Sequence, residues 1–203
     1  MKQASCILSL ALVILFSSCN QSVQKRVLVL YKGDGKIDKD NTSIELTSDN
    51  SSTHNDEVLE YFSGSKQTFT IKKTDGEVKL DAPDEGYYII NAKNDTIIGS
   101  YQQYSSAKSD TIKQDVIKKG IDSLELLVQG KNVSAANRNF FILPYTIVKI
   151  TSNADAFVVA PFHKMNSIET QEGKEPEVYR FWGIKEIRED IERMKGLTSS
   201  KKK

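Results

Sequence analysis

Residues 68–80 read TFTIKKTDGEVKL. Phe69 and Ile71 alternate with polar neighbours, then Thr74-Asp75-Gly76 interrupts, and Glu77 to Leu80 returns with Val78 and Leu80 alternating again. Apolar residues at every second position put one face of a strand in a core and the other in water. Asp-Gly is the dipeptide of a tight turn, because glycine reaches backbone angles closed to other residues. The stretch is therefore predicted to be a β-hairpin. Outward from it the pattern repeats. Tyr87 to Asn91 and Thr96 to Tyr101 flank Lys93-Asn94-Asp95 and predict a second hairpin. Arg26 to Lys32 (RVLVLYK) predicts a first strand ended by Gly33-Asp34-Gly35, Ser43 to Ser48 (SIELTS) another, and Glu57 to Phe62 a further one. About seven short strands without an intervening helix predict an antiparallel sandwich or open barrel over 26–104.

Beyond that segment the period changes. Asp110 is a suitable N-cap, and Ile112, Val116, Ile117, Ile121 and Leu124 follow at helical spacing. Gly120 is expected to end or weaken this helix, Asp122 to cap a second set of turns, and Leu124, Leu126 and Leu127 to anchor it in a core. Phe140 to Leu143 is an apolar run stopped by Pro144. Thr146 to Thr151 and Ala156 to Ala160 are predicted to pair across Ser152 to Asp155, and Glu177 to Trp182 forms a further strand. The last helix is the clearest: Ile184, Ile187, Ile191, Met194 and Leu197 form one apolar stripe, expected to lie on the sheet of 140–182. The fold class expected is α+β: an antiparallel β domain, 26–104, then a smaller α+β domain, 105–198, with a C-terminal amphipathic helix and a basic tail, 199–203.

Charged residues are 27% and hydrophobic ones 38%, the balance of a folded globular chain. A formal net charge of +1 provides no basic field for nucleic acid. Of the two cysteines, Cys6 lies in an apolar N-terminal segment and Cys19 just after it. If the segment 1–18 is removed, no disulfide can form within the remaining chain.

That N-terminal segment has Lys2, an apolar run from Ala4 to Phe16 and then Ser17-Ser18-Cys19. About 13 apolar residues suit the core of a signal peptide and fall short of the roughly 20 that span a bilayer. The stretch resembles a bacterial lipoprotein signal, with Phe16 standing where Leu is usual. The resemblance implies a signal peptide, 1–18, lipidation of Cys19, and a lipidated tether, 19–25, that anchors the body in a membrane of the cell envelope. Asn20, in place of an aspartate, resembles sorting to the outer membrane, facing the periplasm. Asp95-Thr96-Ile97, Asp110-Thr111-Ile112 and Asp122-Ser123-Leu124 resemble the Asp-Ser/Thr-apolar pattern of periplasmic O-glycosylation in Bacteroidota. That implies Thr96, Thr111 and Ser123 as modification sites.

No catalytic signature, nucleotide loop or zinc helix is present. The only two histidines are His54, beside Asp56 and Glu57, and His163. Without a thiol they make a poor metal set, and no metal or cofactor is expected. Asp34, Asp38 and Asp40 suggest a calcium loop, but Lys36 and Lys39 fall where a ligand and glycine are needed. The function expected is a lipid-anchored envelope protein that binds or scaffolds a protein partner without catalysis. One alternative is a glycan or small-molecule binder using Tyr179, Phe181 and Trp182 as stacking rings. Another is an envelope hydrolase, which needs His54 or His163 beside carboxylates in a cleft.

Overall fold

The computed structural model describes residues 22–47, 51–102, 114–134, 136–164 and 176–199. Cys19, Thr111, the Lys201 to Lys203 tail and the side chain of Leu197 lie outside the described residues. The elements run β1 (Lys25–Lys32), β2 (Gly35–Asp38), β3 (Ser43–Leu46), β4 (His54–Tyr61), β5 (Gln67–Lys73), β6 (Gly76–Ala82), β7 (Gly86–Asn91), β8 (Ile97–Gln102), α1 (Gln114–Val128), β9 (Asn139–Ile142), β10 (Thr146–Thr151), β11 (Phe157–Val159), β12 (Val178–Gly183) and α2 (Ile184–Ser199). Among the described residues no helix is long and apolar enough to cross a membrane.

Among the described residues three four-stranded sheets form, ordered β10-β7-β1-β4, β2-β3-β5-β6 and β11-β12-β8-β9. The alternation in β1 stacks them. Val27 and Val29 point into one core with Ile44, Phe69 and Ile71 of the second sheet. Leu28 and Leu30 point the other way, into a core with Ile97, Phe140, Tyr179 and Phe181 of the third sheet. The outer face of the third sheet, through Ile98 and Trp182, meets Ile121 and Leu127 of α1 and Ile187 and Ile191 of α2. The molecule is thus four layers deep: second sheet, first sheet, third sheet, helices. The first sheet is covered on both faces, which is why β1 and β7 read as nearly continuous apolar runs. Each Val, Leu or Ile so enclosed contributes about 1.5–3 kcal/mol relative to exposure.

The chain is α+β, as its pattern indicates, with helices confined to one side. The finer expectations need correction. The predicted hairpin at 68–80 forms: β5 and β6 pair antiparallel, Lys73 opposite Gly76, with Gly76 at a φ of 145°. The region 26–104 is not purely antiparallel, since β1 pairs with β7 and β3 with β5 in parallel. Nor does it close into a barrel: the first and second sheets pack as one sandwich, and the third sheet covers the free face. The second predicted hairpin does not form. Both edges of β7 are taken, by β1 and β10, so β8 turns into the third sheet between β9 and β12. The pair expected at 146–160 is likewise split, β10 joining β7 and β11 running parallel to β12. Hydrogen-bonded sheets therefore cross the division expected at 104/105.

In α1 the helix runs unbroken through Gly120, where an added Cβ would meet nothing within 4 Å. One continuous helical phase turns Ile121 and Leu127 inward and leaves Val116, of the expected apolar stripe, and Leu126, an expected anchor, 59% and 40% exposed. β2, which the sequence reading treated as loop, pairs along its length with β3.

Candidate functional site

The residues expected to stack on a ligand belong to the core. β12 alternates, so Tyr179 and Phe181 face the first sheet and Trp182 faces the helices. Their exposures are 1%, 0% and 4%. The Arg180 guanidinium stands over the indole at 5.0 Å. These rings offer no open platform. A cavity of about 380 Å³ between the helices and the third sheet is lined by Gln102, Ser123, Leu124, Arg180, Trp182 and Asp190 among others. Thr96 is half-buried in the connection between β7 and β8, and Ser123 is exposed on α1.

A cluster of buried and half-buried titratable groups, Lys93, His54 and Glu186, gathers elsewhere, at the end of the first sheet where β1 finishes. Lys32 closes β1 opposite His54, the first residue of β4. Period-2 alternation puts His54, Asp56 and Val58 on the face turned towards the third sheet, while Leu59 enters the core with the second. The adjacent connection between β7 and β8 is shaped by Asn91, which is wholly buried. Its side-chain amide donates to the carbonyls of Asp95 at 2.8 Å and Leu143 at 3.1 Å, and its oxygen accepts from the Lys93 N–H at 3.3 Å. These bonds turn the chain inward at Lys93.

Lys93 is 2% exposed. Among the described residues its ammonium makes no hydrogen bond and no ion pair; it lies 6.0 Å from the centre of the Phe162 ring. Burial is the main cause that lowers its pKa to about 8, and Lys32 adds to it against Asp95, Glu186 and Asp56. Nearby Lys32 is occupied, donating to Asn94 Oδ1 at 3.2 Å and pairing with Asp95 at 3.3 Å. His54 stacks on Phe162, ring centres 4.1 Å apart. Burial, with Lys93 and Lys32, holds the His54 pKa below its usual value.

Phe162 has a φ of 67°, a left-handed conformation that costs a non-glycine residue about 1–2 kcal/mol. It is held there from α2. Glu186, in the first turn of α2, accepts from the Phe162 N–H at 3.0 Å and the Gly183 N–H at 3.3 Å. Burial pushes the Glu186 carboxyl above its ordinary pKa, opposed by those two bonds and by Arg180. Next in sequence, His163 Nε2 lies 2.7 Å from Asp56 Oδ1. Both border a groove of about 190 Å³ between β4 and β11, with Leu28, Val58, Phe157 and Ala160 as apolar walls.

The two histidines, some hundred residues apart in sequence, thus meet either side of Phe162 and Asp56. Glu57 does not join them, because alternation places it on the other face of β4. Among the described residues no three His, Cys, Asp or Glu side chains approach closely enough to hold a metal ion. In the suspected calcium loop, Asp38 instead accepts from the backbone of Asp40 and Asn41, forming an Asx turn. Sequence reasoning missed Lys93, Phe162 and Glu186. The available signal was weak: a lysine directly after an apolar strand, inside a connection that looked like an ordinary polar turn. Protein-family models, curated proteins and solved structures were each compared with the chain, and none matches it.

Proposed function

We propose that this protein is a lipid-anchored component of the bacterial cell envelope, held at the outer membrane on its periplasmic side, that binds at the end of its body remote from the anchor. The observation that carries the reading is the signal-like segment ending at Cys19, together with the start of β1 at Lys25. Six residues of chain reach at most about 20 Å, so a lipid on Cys19 keeps the Lys25 end of the body close to the bilayer. β1 is eight residues long. At about 3.3 Å per residue its far end lies roughly 23 Å from its start. Lys32, His54, Lys93 and Phe162 therefore occupy the end turned away from the tether. Two or three acyl chains make such anchoring stable where one is marginal.

Membrane fractionation with mass measurement of the mature N-terminal peptide tests the anchor. The wild-type chain is expected in the membrane fraction, starting at Cys19 with lipid on its sulfur, and Cys19→Ser in the soluble fraction. A mature N-terminus elsewhere, or a free thiol at Cys19, overturns it. A photo-crosslinker at Val58, beside the remote cluster, is expected to capture an envelope partner that the same crosslinker at Lys66 does not.

The His163–Asp56 contact favours a second reading. A histidine oriented by a carboxylate in a groove can activate water, the arrangement a hydrolase needs. Loss of hydrolysis of a simple ester panel in His163→Ala supports it, and an inert wild-type protein rejects it.

A further inference from the structure

We propose that Lys93 is a reactive amine that condenses with a small aldehyde or ketone entering beside the Phe162 ring. This rests on the reading of the remote end as the binding end, and not on the lipid anchor.

Three geometrical facts support it. Lys93 is buried, 2% exposed as a whole residue. A lysine that serves only structure spends its ammonium on acceptors, as Lys25 does on the carbonyls of Ser65 and Ala82. Lys93 has no such partner among the described residues, only the flank of an aromatic ring. The wall beside it is held under strain, with Phe162 fixed at a φ of 67° by Glu186 and stacked on His54. Strained residues gather where structure is committed to a task. The groove that shares Asp56 and His163 with this cluster has a volume of about 190 Å³. Lys93 itself does not line that groove, and it is the burial of Lys93 that restricts its partner to a small carbonyl compound.

The electrostatics agree. The charged and titratable groups that Lys93 feels are Lys32 from β1, Asp56 from β4, Asp95 from its own connection and Glu186 from α2, with His54 of β4 across the same ring. Burial outweighs the three carboxylates and brings the pKa to about 8. At pH 7 roughly a tenth of such an amine is neutral, against well under a thousandth of an ordinary lysine. The neutral nitrogen attacks the carbonyl carbon. The N–H proton passes to the carbonyl oxygen, and the carbinolamine loses water to leave a C=N bond. Amine plus carbonyl gives imine plus water, with no oxidant or reductant required.

The test is competitive labelling of the full-length protein, purified in detergent, with acetaldehyde and sodium cyanoborohydride at pH 7. Cyanoborohydride reduces each imine to a stable N-ethyl group, and peptide mass mapping reads the rate at every lysine. Lys93 is expected to label at least about tenfold faster than Lys185, which is 87% exposed in its side chain. Its advantage is expected to shrink as pH rises from 8 to 10, where ordinary lysines also lose protons. Phe162→Gly accepts the left-handed backbone and admits water, so Lys93 should fall to the rate of Lys185. A Lys93 rate at or below that of Lys185 in the wild-type protein overturns the proposal, as does a rate that climbs when the ring is removed. Both readouts are independent of whether Cys19 carries lipid, so failure here and failure of the anchor are separately visible.

Discussion

Two lysines buried to a similar degree behave in opposite ways. Lys25 is fully enclosed, and its ammonium donates to the carbonyl of Ala82 at 2.9 Å and of Ser65 at 2.5 Å. It clasps the start of β1 to the end of β6 and to the connection between β4 and β5. Lys25→Met keeps the length of the side chain but strands two carbonyls. Such a loss costs about 1–3 kcal/mol, so the urea midpoint of Lys25→Met is expected to fall. Among the described residues the Lys93 ammonium has no hydrogen-bond acceptor, and the expected sign reverses. Its pKa falls from 10.5 unfolded to about 8 folded. Below pH 8 both states are protonated and the whole penalty, about 3 kcal/mol, weighs on the fold. Between pH 8 and 10.5 the unfolded chain holds more protons, so stability rises with pH; above that the penalty is gone. Lys93→Met is therefore expected to be more stable than wild type at pH 7, by up to about 3 kcal/mol, and to flatten the pH dependence over that window. Denaturant melts at pH 7, 8.5 and 10 read both effects. A functional lysine retained at such a cost was not legible in the sequence. Its partners lie at positions 54, 162 and 186, and no local window contains more than one of them.

At the level of elements, local chemistry was readable and pairing was not. The β5–β6 hairpin announces itself because alternation, Asp-Gly and strand length agree, and Gly76 at a φ of 145° is the residue its turn requires. Gly76→Ala should cost about 1 kcal/mol without altering the register. The stripe of α2 was equally plain, and Ile187 and Ile191 are buried as it requires. β2 escaped notice because Ile37 is its sole apolar residue and its existence depends on β3. Neighbour choice in β7 and β8 is a tertiary decision, made by which sheet can cover an apolar face. Gly99 shows how tight that decision is. It lies opposite Phe181 in the β8–β12 pair, and a Cβ there would come within 2.0 Å of the Phe181 ring. Neither backbone can retreat, since β8 and β12 are central strands. Gly99→Ala is expected to lose about 3 kcal/mol of stability, overpacking of the kind a core cannot absorb. Gly99→Ala combined with Phe181→Leu should recover part of it, read as a rise in melting temperature over the single variant.

Across the whole molecule, the four layers are sewn together by strands that leave one half of the chain for the other. β10 pairs with β7, and β8 sits between β9 and β12, so the first and third sheets both draw on residues from either side of 104. The core between these sheets unites Leu28, Ile89, Phe140 and Tyr179. A fragment 26–104 would keep β1, β4 and β7 but expose one entire apolar face of the first sheet. A fragment 105–198 would hold β9 and β12 without the β8 that joins them. Surface exposed in this way outweighs the few kcal/mol by which a domain of this size is stable. Neither fragment is expected to fold alone, while the two mixed in equal amounts should regain native circular dichroism. The intact chain should unfold in one transition. Trp182, the only tryptophan, reports on the helix layer, and far-ultraviolet dichroism reports on helices and sheets together. The two melting curves are expected to coincide. Parallel pairing of β1 with β7 also forces distant segments together before either is buried, which makes refolding slow, on the order of seconds. A dispersed amide spectrum from 26–104 alone, or fluorescence and dichroism that melt apart, would mean that the layers hold together by contact and not by shared strands.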